Sequence, residues 1–359
     1  MLFIPHKHLY ISGTSYVSAD EPDYKEVITD ANLRRRMGRL LKMAVWCGLK
    51  SLDGVPSERV AGIITSTGAG FMKDTISFGS SIFDREETLL NPSPFMQSTF
   101  NTASGYIALI RKIHAYNTTY VQQADGFAAS LVDAAMLLDD AGEGDVALVG
   151  AFDEVTPEVD VIRQRLGLYR VVDGFLPLGE GAAAFLLSAA MPTDVSESCR
   201  ATEMSVGPGG GDGSESDSGR DGDANSECST GPLRESESAS RPCDESGSES
   251  SSEPLDESGG TSSRSLNGTK DCNAALRFCG LANLSDLPKC AANPIAELFG
   301  INVSVNVISC ADHVESLGAF RSLLPVLLCK LISEQQIPDG YTAIVDDVNE
   351  DGVIVLLHK

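Results

Sequence analysis

The chain has 359 residues, enough for one large domain or two medium ones, and its 42% hydrophobic content is ordinary for a soluble globular protein. Its formal net charge is −24, of which −13 falls in residues 194–257, where 17 Asp and Glu stand against four Arg. There is neither the basic face that nucleic acid needs nor the apolar run of about 18 residues that a membrane span needs, so neither partner is expected.

The opening "MLFIPHKHLYIS" lacks the basic start, long apolar stretch and small-residue cleavage site of a secretory signal, so a cytoplasmic location with reduced thiols is expected. "LYISGTSYV" (9–17) reads as a strand. Residues 32–52 read as one helix, with Leu40, Leu41, Ala44, Val45, Leu49 and Leu52 along one side. Arg34, Arg35, Arg36, Arg39 and Lys42 form the one dense basic patch, either a solvated helix face or a docking site for an acidic carrier. "VAGIITSTG" (60–68) is a buried strand running into a glycine loop. "STGAGF" (66–71) has two of the three glycines of a dinucleotide cradle and no suitable acid about 20 residues on, so these read as packing glycines.

"SGYIALIRKIHAY" (104–116) reads as a helix, "TTYVQQ" (118–123) as a strand and "SLVDAAMLLDDA" (130–141) as a helix. The bend between the last two holds Gln122, Gln123, Ala124, Asp125 and Gly126. A strand turning sharply into a helix is where many enzymes mount a nucleophile, yet no Ser or Cys stands there. "DVALVGAFDE" (145–154) and "GAAAFLLSA" (181–189) read as strands. Residues 192–269, rich in Ser, Gly, Asp and Glu, bury too little apolar surface to offset their ordering entropy and are expected to be a disordered insertion. Beyond it come a strand at 302–309, a helix at 314–333 and strands at 341–348 and 352–359. The alternation predicts an α/β layered fold in two folded pieces, 1–191 and 270–359. The nine cysteines are irregularly spaced, and Cys272, Cys279 and Cys290 lack the pairing of a zinc site, so no metal is expected.

Five segments, in order, resemble the β-ketoacyl synthase family. "AGIITSTGAGF" (61–71) resembles its early strand and glycine loop, and "SPFMQSTFNTASGYIAL" (93–109) its S-T-x-x-N-x-x-A/S-G segment. "DVALVGAFDEVTP" (145–157) resembles the strand after the nucleophile helix, "DGFLPLGEGAAAFLL" (173–187) the DGF-x-x-GEGAG segment, and "ADHVESLGAFRSLLPVLL" (311–328) the segment with a catalytic His. The resemblance covers most of the chain outside the acidic segment. It implies the thiolase fold, two related α/β halves in five layers (α-β-α-β-α), nearly always dimeric, with 270–359 as a shortened second half.

In active members a Cys at the bend takes the acyl chain, its thiolate favoured by the helix N-terminus. Here that position falls on Gln123 when aligned on Gly126, or on Ala124 when counted from Asn101. His313 falls on one family His, to act in catalysis or to serve as an ordinary core or surface residue. The second His has no counterpart near "CGLANLSDLPKC" (279–290), and the late G-F-G-G loop has become "VDDVNEDG" (345–352). Cys310, near His313, is a weaker candidate nucleophile. The resemblance thus implies a Cys-less, chain-length-factor-type subunit of a heterodimeric synthase in polyketide, polyene or fatty-acid-like biosynthesis. The alternatives are a malonyl-carrier-protein decarboxylase, residual 3-oxoacyl-carrier-protein synthase activity, or a scaffold for the carrier. Expected partners are an active synthase subunit or a second copy, and an acyl carrier protein. No cofactor of its own is expected, since acyl and malonyl groups arrive on the carrier's phosphopantetheine.

Overall fold

The apolar runs at 146–153 and 181–188 form the middle of a ten-stranded mixed sheet. The computed structural model describes residues 1–122, 125–189, 275–349 and 351–359, all in one compact unit; the expected disordered insertion lies outside them. In chain order come β1 (Leu2–Phe3), β2 (Leu9–Val17), α1 (Ala31–Arg36), α2 (Arg39–Ser51), β3 (Val60–Ser66), α3 (Met72–Asp84), α4 (Pro92–Ser98) and α5 (Thr102–Arg111). Then follow β4 (Tyr116–Tyr120), α6 (Asp125–Asp140), β5 (Val146–Asp153), α7 (Pro157–Leu166), a hairpin of β6 (Arg170–Val171) and β7 (Gly174–Phe175), and β8 (Gly181–Ser188). The last part holds β9 (Leu276–Asn283), α8 (Pro294–Leu298), β10 (Val305–Ser309), α9 (Val314–Leu317), α10 (Leu323–Ser333), β11 (Tyr341–Val345) and β12 (Val353–His358).

The strands lie in the order β10-β11-β12-β9-β2-β8-β5-β3-β4, with β1 added to β9. β3 runs parallel to β4 and β5, and β10 parallel to β11; the other pairs are antiparallel. β2 joins the two pieces of chain: Tyr10 stands opposite Ser188 of β8, and Ile11 opposite Leu276 of β9.

β5 and β8 are buried at every position because helices cover both faces, which is why they read as unbroken apolar runs. Alternation survives in the layer each residue enters. Val146, Leu148 and Phe152 of β5 and Ala182, Ala184 and Leu186 of β8 pack with α2 and α5 through Leu41, Val45 and Ile107. Val149, Ala183, Phe185 and Leu187 enter a second layer with α6 and α10, which also receives Phe278, Ile344, Val353, Val355 and Leu357. Ala282, Ala343, Ile354 and Leu356 join a third cluster with Ile295 and Phe299 around α8. The expected five-layer order results, with one stretch of the sheet between the α2–α5 and α6–α10 layers and another stretch of the same sheet between α6–α10 and α8. α10 alone buries Leu323, Leu324, Val326, Leu327, Leu328 and Leu331. At ~2 kcal/mol for each such side chain, this is on the order of 10 kcal/mol of gross burial before entropy is counted.

Several elements differ from expectation. The helix expected over 32–52 breaks at Met37 and Gly38, both extended. Gln97 of α4 accepts from the Gly38 N–H (3.0 Å) and donates to the Arg36 carbonyl, taking groups that a continuous helix would have paired. The helix expected over 104–116 stops at Lys112, which is left-handed at φ 55°, so Tyr116 already begins β4. Asp125 and Gly126, read as part of the bend, start α6. The helix expected over 314–333 is split at Gly318 (φ 77°) by a contact with the 177–179 segment.

Candidate functional site

The junction between β4 and α6 is held from behind. The Thr67 N–H donates to the Tyr120 carbonyl at 3.0 Å. The Thr119 hydroxyl meets those of Thr65 (2.7 Å) and Ser104 (3.3 Å), and the Asn117 amide donates to the Ser104 carbonyl (3.2 Å). Ser104 thus ties the 93–109 segment to the strand that feeds the elbow. A Cβ on Gly126 would lie 3.4 Å from the Ser66 side chain, so the first turn of α6 packs directly on the end of β3. Gln123 and Ala124, the two candidate nucleophile positions, lie outside the described residues. Val121 and Gln122 before them are exposed.

The glycine loop does cradle an anion, but the anion belongs to the chain. The fully enclosed Asp153 at the end of β5 accepts at Oδ1 from the Thr67 hydroxyl (3.0 Å), the Gly68 N–H (2.8 Å) and the Ala69 N–H (3.2 Å). Its Oδ2 accepts from the Ser322 hydroxyl at the start of α10. Burial raises the Asp153 pKa and these donors oppose the rise, leaving it above the ordinary carboxylate range. With its N–H groups occupied, the loop offers no phosphate cradle, in keeping with the packing role read from its two glycines. Nothing in the sequence marked Asp153 or Ser322, which lie 169 positions apart.

The 173–187 and 311–328 segments grip each other through backbone. The Ala319 N–H donates to the Pro177 carbonyl (2.7 Å), and the Gly179 N–H to the Ala319 carbonyl (3.3 Å). A Cβ on Gly179 would sit 1.9 Å from the Leu317 carbonyl oxygen, so glycine is required there. Glu180 pairs with Arg39, which also pairs with Glu21, and accepts from the Val155 N–H at 3.3 Å. Arg34 donates to the Ile28 and Thr29 carbonyls and Arg35 to the Ala31 carbonyl and the Asn32 side chain, so with Arg39 three of the five basic-patch residues are engaged within the chain.

His313 is half-buried in a short turn, and its N–H donates to the Cys310 carbonyl (3.0 Å). Among the described residues its imidazole has no hydrogen-bonding partner. Cys310 is fully buried, and burial beside Asp346 and Asp347 pushes its thiol well up, the reverse of what a nucleophile needs. Asp347 accepts from the Ala311 N–H (2.9 Å) and from the Ser309 hydroxyl (2.5 Å). The buried Asp346 accepts from the Val348 and Asn349 N–H groups and from the Asn349 amide (2.8 Å), closing the 345–352 turn on itself. The segment expected to stand in for the family's G-F-G-G loop therefore presents carboxylates that accept from its own and neighbouring N–H groups.

A cavity of about 510 Å³ opens beside α7, lined by Val155, Thr156, Pro157, Asp160, Arg163 and Leu178. The buried Arg163 pairs with Asp160 (2.8 Å), donates to the Leu176 carbonyl (2.6 Å) and stacks on Phe175. Among the described residues no cluster of His, Cys, Asp and Glu suits a metal, and no helix is long and apolar enough to cross a membrane.

Residues 14–195 match the family model described as the β-ketoacyl synthase N-terminal domain. No curated protein matches the chain. Among solved structures, the ishigamide ketosynthase/chain length factor has a TM-score of 0.57 at 14% identity, over 98% of this chain and 99% of the other. A type II polyketide ketosynthase complexed with its acyl-carrier protein, AntDE:AntF, has a TM-score of 0.57 at 13% identity, with the same coverage of 98% and 99%. A β-ketoacyl synthase from Burkholderia phymatum STM815 has a TM-score of 0.56 at 10% identity, over 98% of each chain. At such identities the likeness is one of fold, and that fold is thiolase-like.

Proposed function

Because the chain belongs to the β-ketoacyl synthase family, we propose that it is the non-catalytic, chain-length-factor-type subunit of a heterodimeric synthase. The enzyme would build a polyketide, polyene or fatty-acid-like chain. The observation that carries this reading is the elbow: no cysteine occurs between Cys47 and Cys199, and the bend from Gln122 to Gly126 offers neither thiol nor hydroxyl. Without a nucleophile no acyl thioester forms, and covalent catalysis is lost. The frame around the elbow is nonetheless complete, which suits a subunit whose task is to support a partner and shape its acyl tunnel. Acyl and malonyl groups would reach the pair on the phosphopantetheine of a carrier protein, in the cytoplasm, with no further cofactor. A malonyl decarboxylase is less well supported, because His313 has no orienting partner among the described residues and the segment that resembles the oxyanion loop carries Asp346 and Asp347, which accept from backbone N–H groups.

The test is co-expression with a Cys-bearing synthase encoded beside this chain. The expected result is a 1:1 complex that elongates a carrier-bound substrate, with elongation lost when this chain is omitted. Intact-protein mass spectrometry of this chain alone, incubated with acyl-carrier protein, should show no added acyl mass. A stable thioester on the isolated chain overturns the reading.

A further inference from the structure

We propose that Arg321 and Tyr169 form a receptor for a small organic carboxylate, set against the glycine loop after β3. The site is a property of this chain alone, and it adds a ligand class to the subunit reading above without depending on it.

Arg321 stands between two anchored neighbourhoods. Ala319 exchanges backbone hydrogen bonds with Pro177 and Gly179, and the Ser322 hydroxyl donates to the buried Asp153. The stem of Arg321 runs over Gly68: a Cβ there would lie 2.7 Å from Arg321 Cγ and 2.8 Å from its Cβ, so the missing side chain at 68 makes room for the arginine. Gly68 follows Thr67, whose N–H holds the Tyr120 carbonyl at the end of β4, so the stem is fixed one residue from the support of the elbow. The guanidinium carbon sits 5.8 Å from the centre of the Tyr169 ring. Tyr169 is held at φ 55°, a left-handed backbone that a bulky residue rarely adopts. At such a position an outlier points to a task for the side chain.

Both polar heads are open. Among the described residues the Arg321 guanidinium makes no ion pair or hydrogen bond and the Tyr169 hydroxyl makes none, although both residues are half-buried. The ring contact attracts the charge but takes none of its N–H donors. Asp153 Oδ1 lies 3.4 Å from the same point over Gly68, but the oxygens of Asp153 already take four donors. A guanidinium with free donors beside a free hydroxyl is the complement of a carboxylate: the fork meets its two oxygens, and the phenol O–H adds a further donor. The closeness of Asp153 favours a ligand with a single negative charge, since a phosphate dianion would face a second carboxyl more strongly.

The experiment uses the full chain and phenylglyoxal, which attacks guanidinium groups, with peptide mapping by mass spectrometry. Arg321 should be modified faster than Arg34 and Arg39, which are equally half-buried but engaged on the Ile28 and Thr29 carbonyls and on Glu21 and Glu180. Saturating butanoate should slow the Arg321 reaction about tenfold, the scale of one charge-assisted pair, and butanamide should not. Inorganic phosphate should protect less than butanoate. In saturation-transfer NMR, the butanoate signal should vanish with Arg321→Gln, persist in part with Arg321→Lys and weaken with Tyr169→Phe, each variant keeping the wild-type far-ultraviolet dichroism spectrum. Equal protection by butanamide or by phosphate, or an undiminished butanoate signal with Arg321→Gln, overturns the proposal. Absence of a complex with a Cys-bearing synthase would sink the subunit reading and leave this site standing.

Discussion

Two regions of the molecule are held in different ways. On the β5–β8 side, Asp153 and Glu180 reach across the fold: Asp153 binds groups 84 to 169 positions away, and Glu180 pairs with Arg39 at 141. On the β10–β11 side, the His313 turn and the 345–352 turn are fastened to each other through Asp347, and Asp346 closes its own loop. The frame is secured by bonds independent of any reagent, so the reagents can be replaced while the frame persists. That separation is what the proposed non-catalytic role would require of a β-ketoacyl synthase fold.

The most severe way to break the contrast is Gly179→Val. Its side chain would strike the Leu317 carbonyl, and the two gripping segments would have to part. The expected outcome is loss of cooperative folding, read by thermal denaturation; a native-like midpoint would mean the grip is dispensable. Next is Asp153→Ala, which strands the Thr67, Gly68, Ala69 and Ser322 donors and should cost about 3 kcal/mol or more in urea unfolding. Its counterpart on the other side, Asp346→Ala, strands fewer and more local donors and should cost less.

Acidity sharpens the comparison further. Asp153 and Asp346 both have pKa values raised by burial, so between the unfolded carboxylate range and their folded values the native state binds more protons than the unfolded state. Stability should therefore gain from these two groups as pH falls through that window, at up to about 1.4 kcal/mol per unit of pKa separation. Asp153→Asn should flatten this dependence; an unchanged slope would place its origin elsewhere. Arg39→Ala removes pairs that are partly open to solvent and should cost ~1 kcal/mol or less, an effect that shrinks with salt. Smallest of all, Gln123→Cys should yield no elongation when the chain acts alone, because on the proposed reading a thiol by itself does not restore the second His and the oxyanion donors. Product in that assay would show the catalytic wall to be intact.

Much of this was legible beforehand. The apolar runs at 146–153 and 181–188 announced buried strands, and the glycines of 173–187 fell where backbone approaches backbone. α7 escaped notice although Thr156 caps it, Pro157 opens it and the left-handed Gly167 closes it. Its exposed Val161, Ile162 and Leu166 spoil the one-sided apolar pattern that marks a surface helix. The splits at Gly38 and Gly318 were hidden because Gln97 and Leu178 cause them from afar, and periodicity sees only neighbours. Asp153 was invisible for the same reason: one acid after an apolar run says nothing about the hydroxyl that meets it from α10.

One further consequence follows from the way β2 lies between β8 and β9. Ser188 and Leu276 flank Tyr10 and Ile11, so they stand about two strand spacings, roughly 10 Å, apart. Any span of chain long enough to step over a single strand satisfies the fold at that point, and closing a longer one adds only a logarithmic entropy penalty. Replacing the intervening chain by a short artificial bridge should therefore leave the strand register intact, as an unchanged thermal midpoint would show.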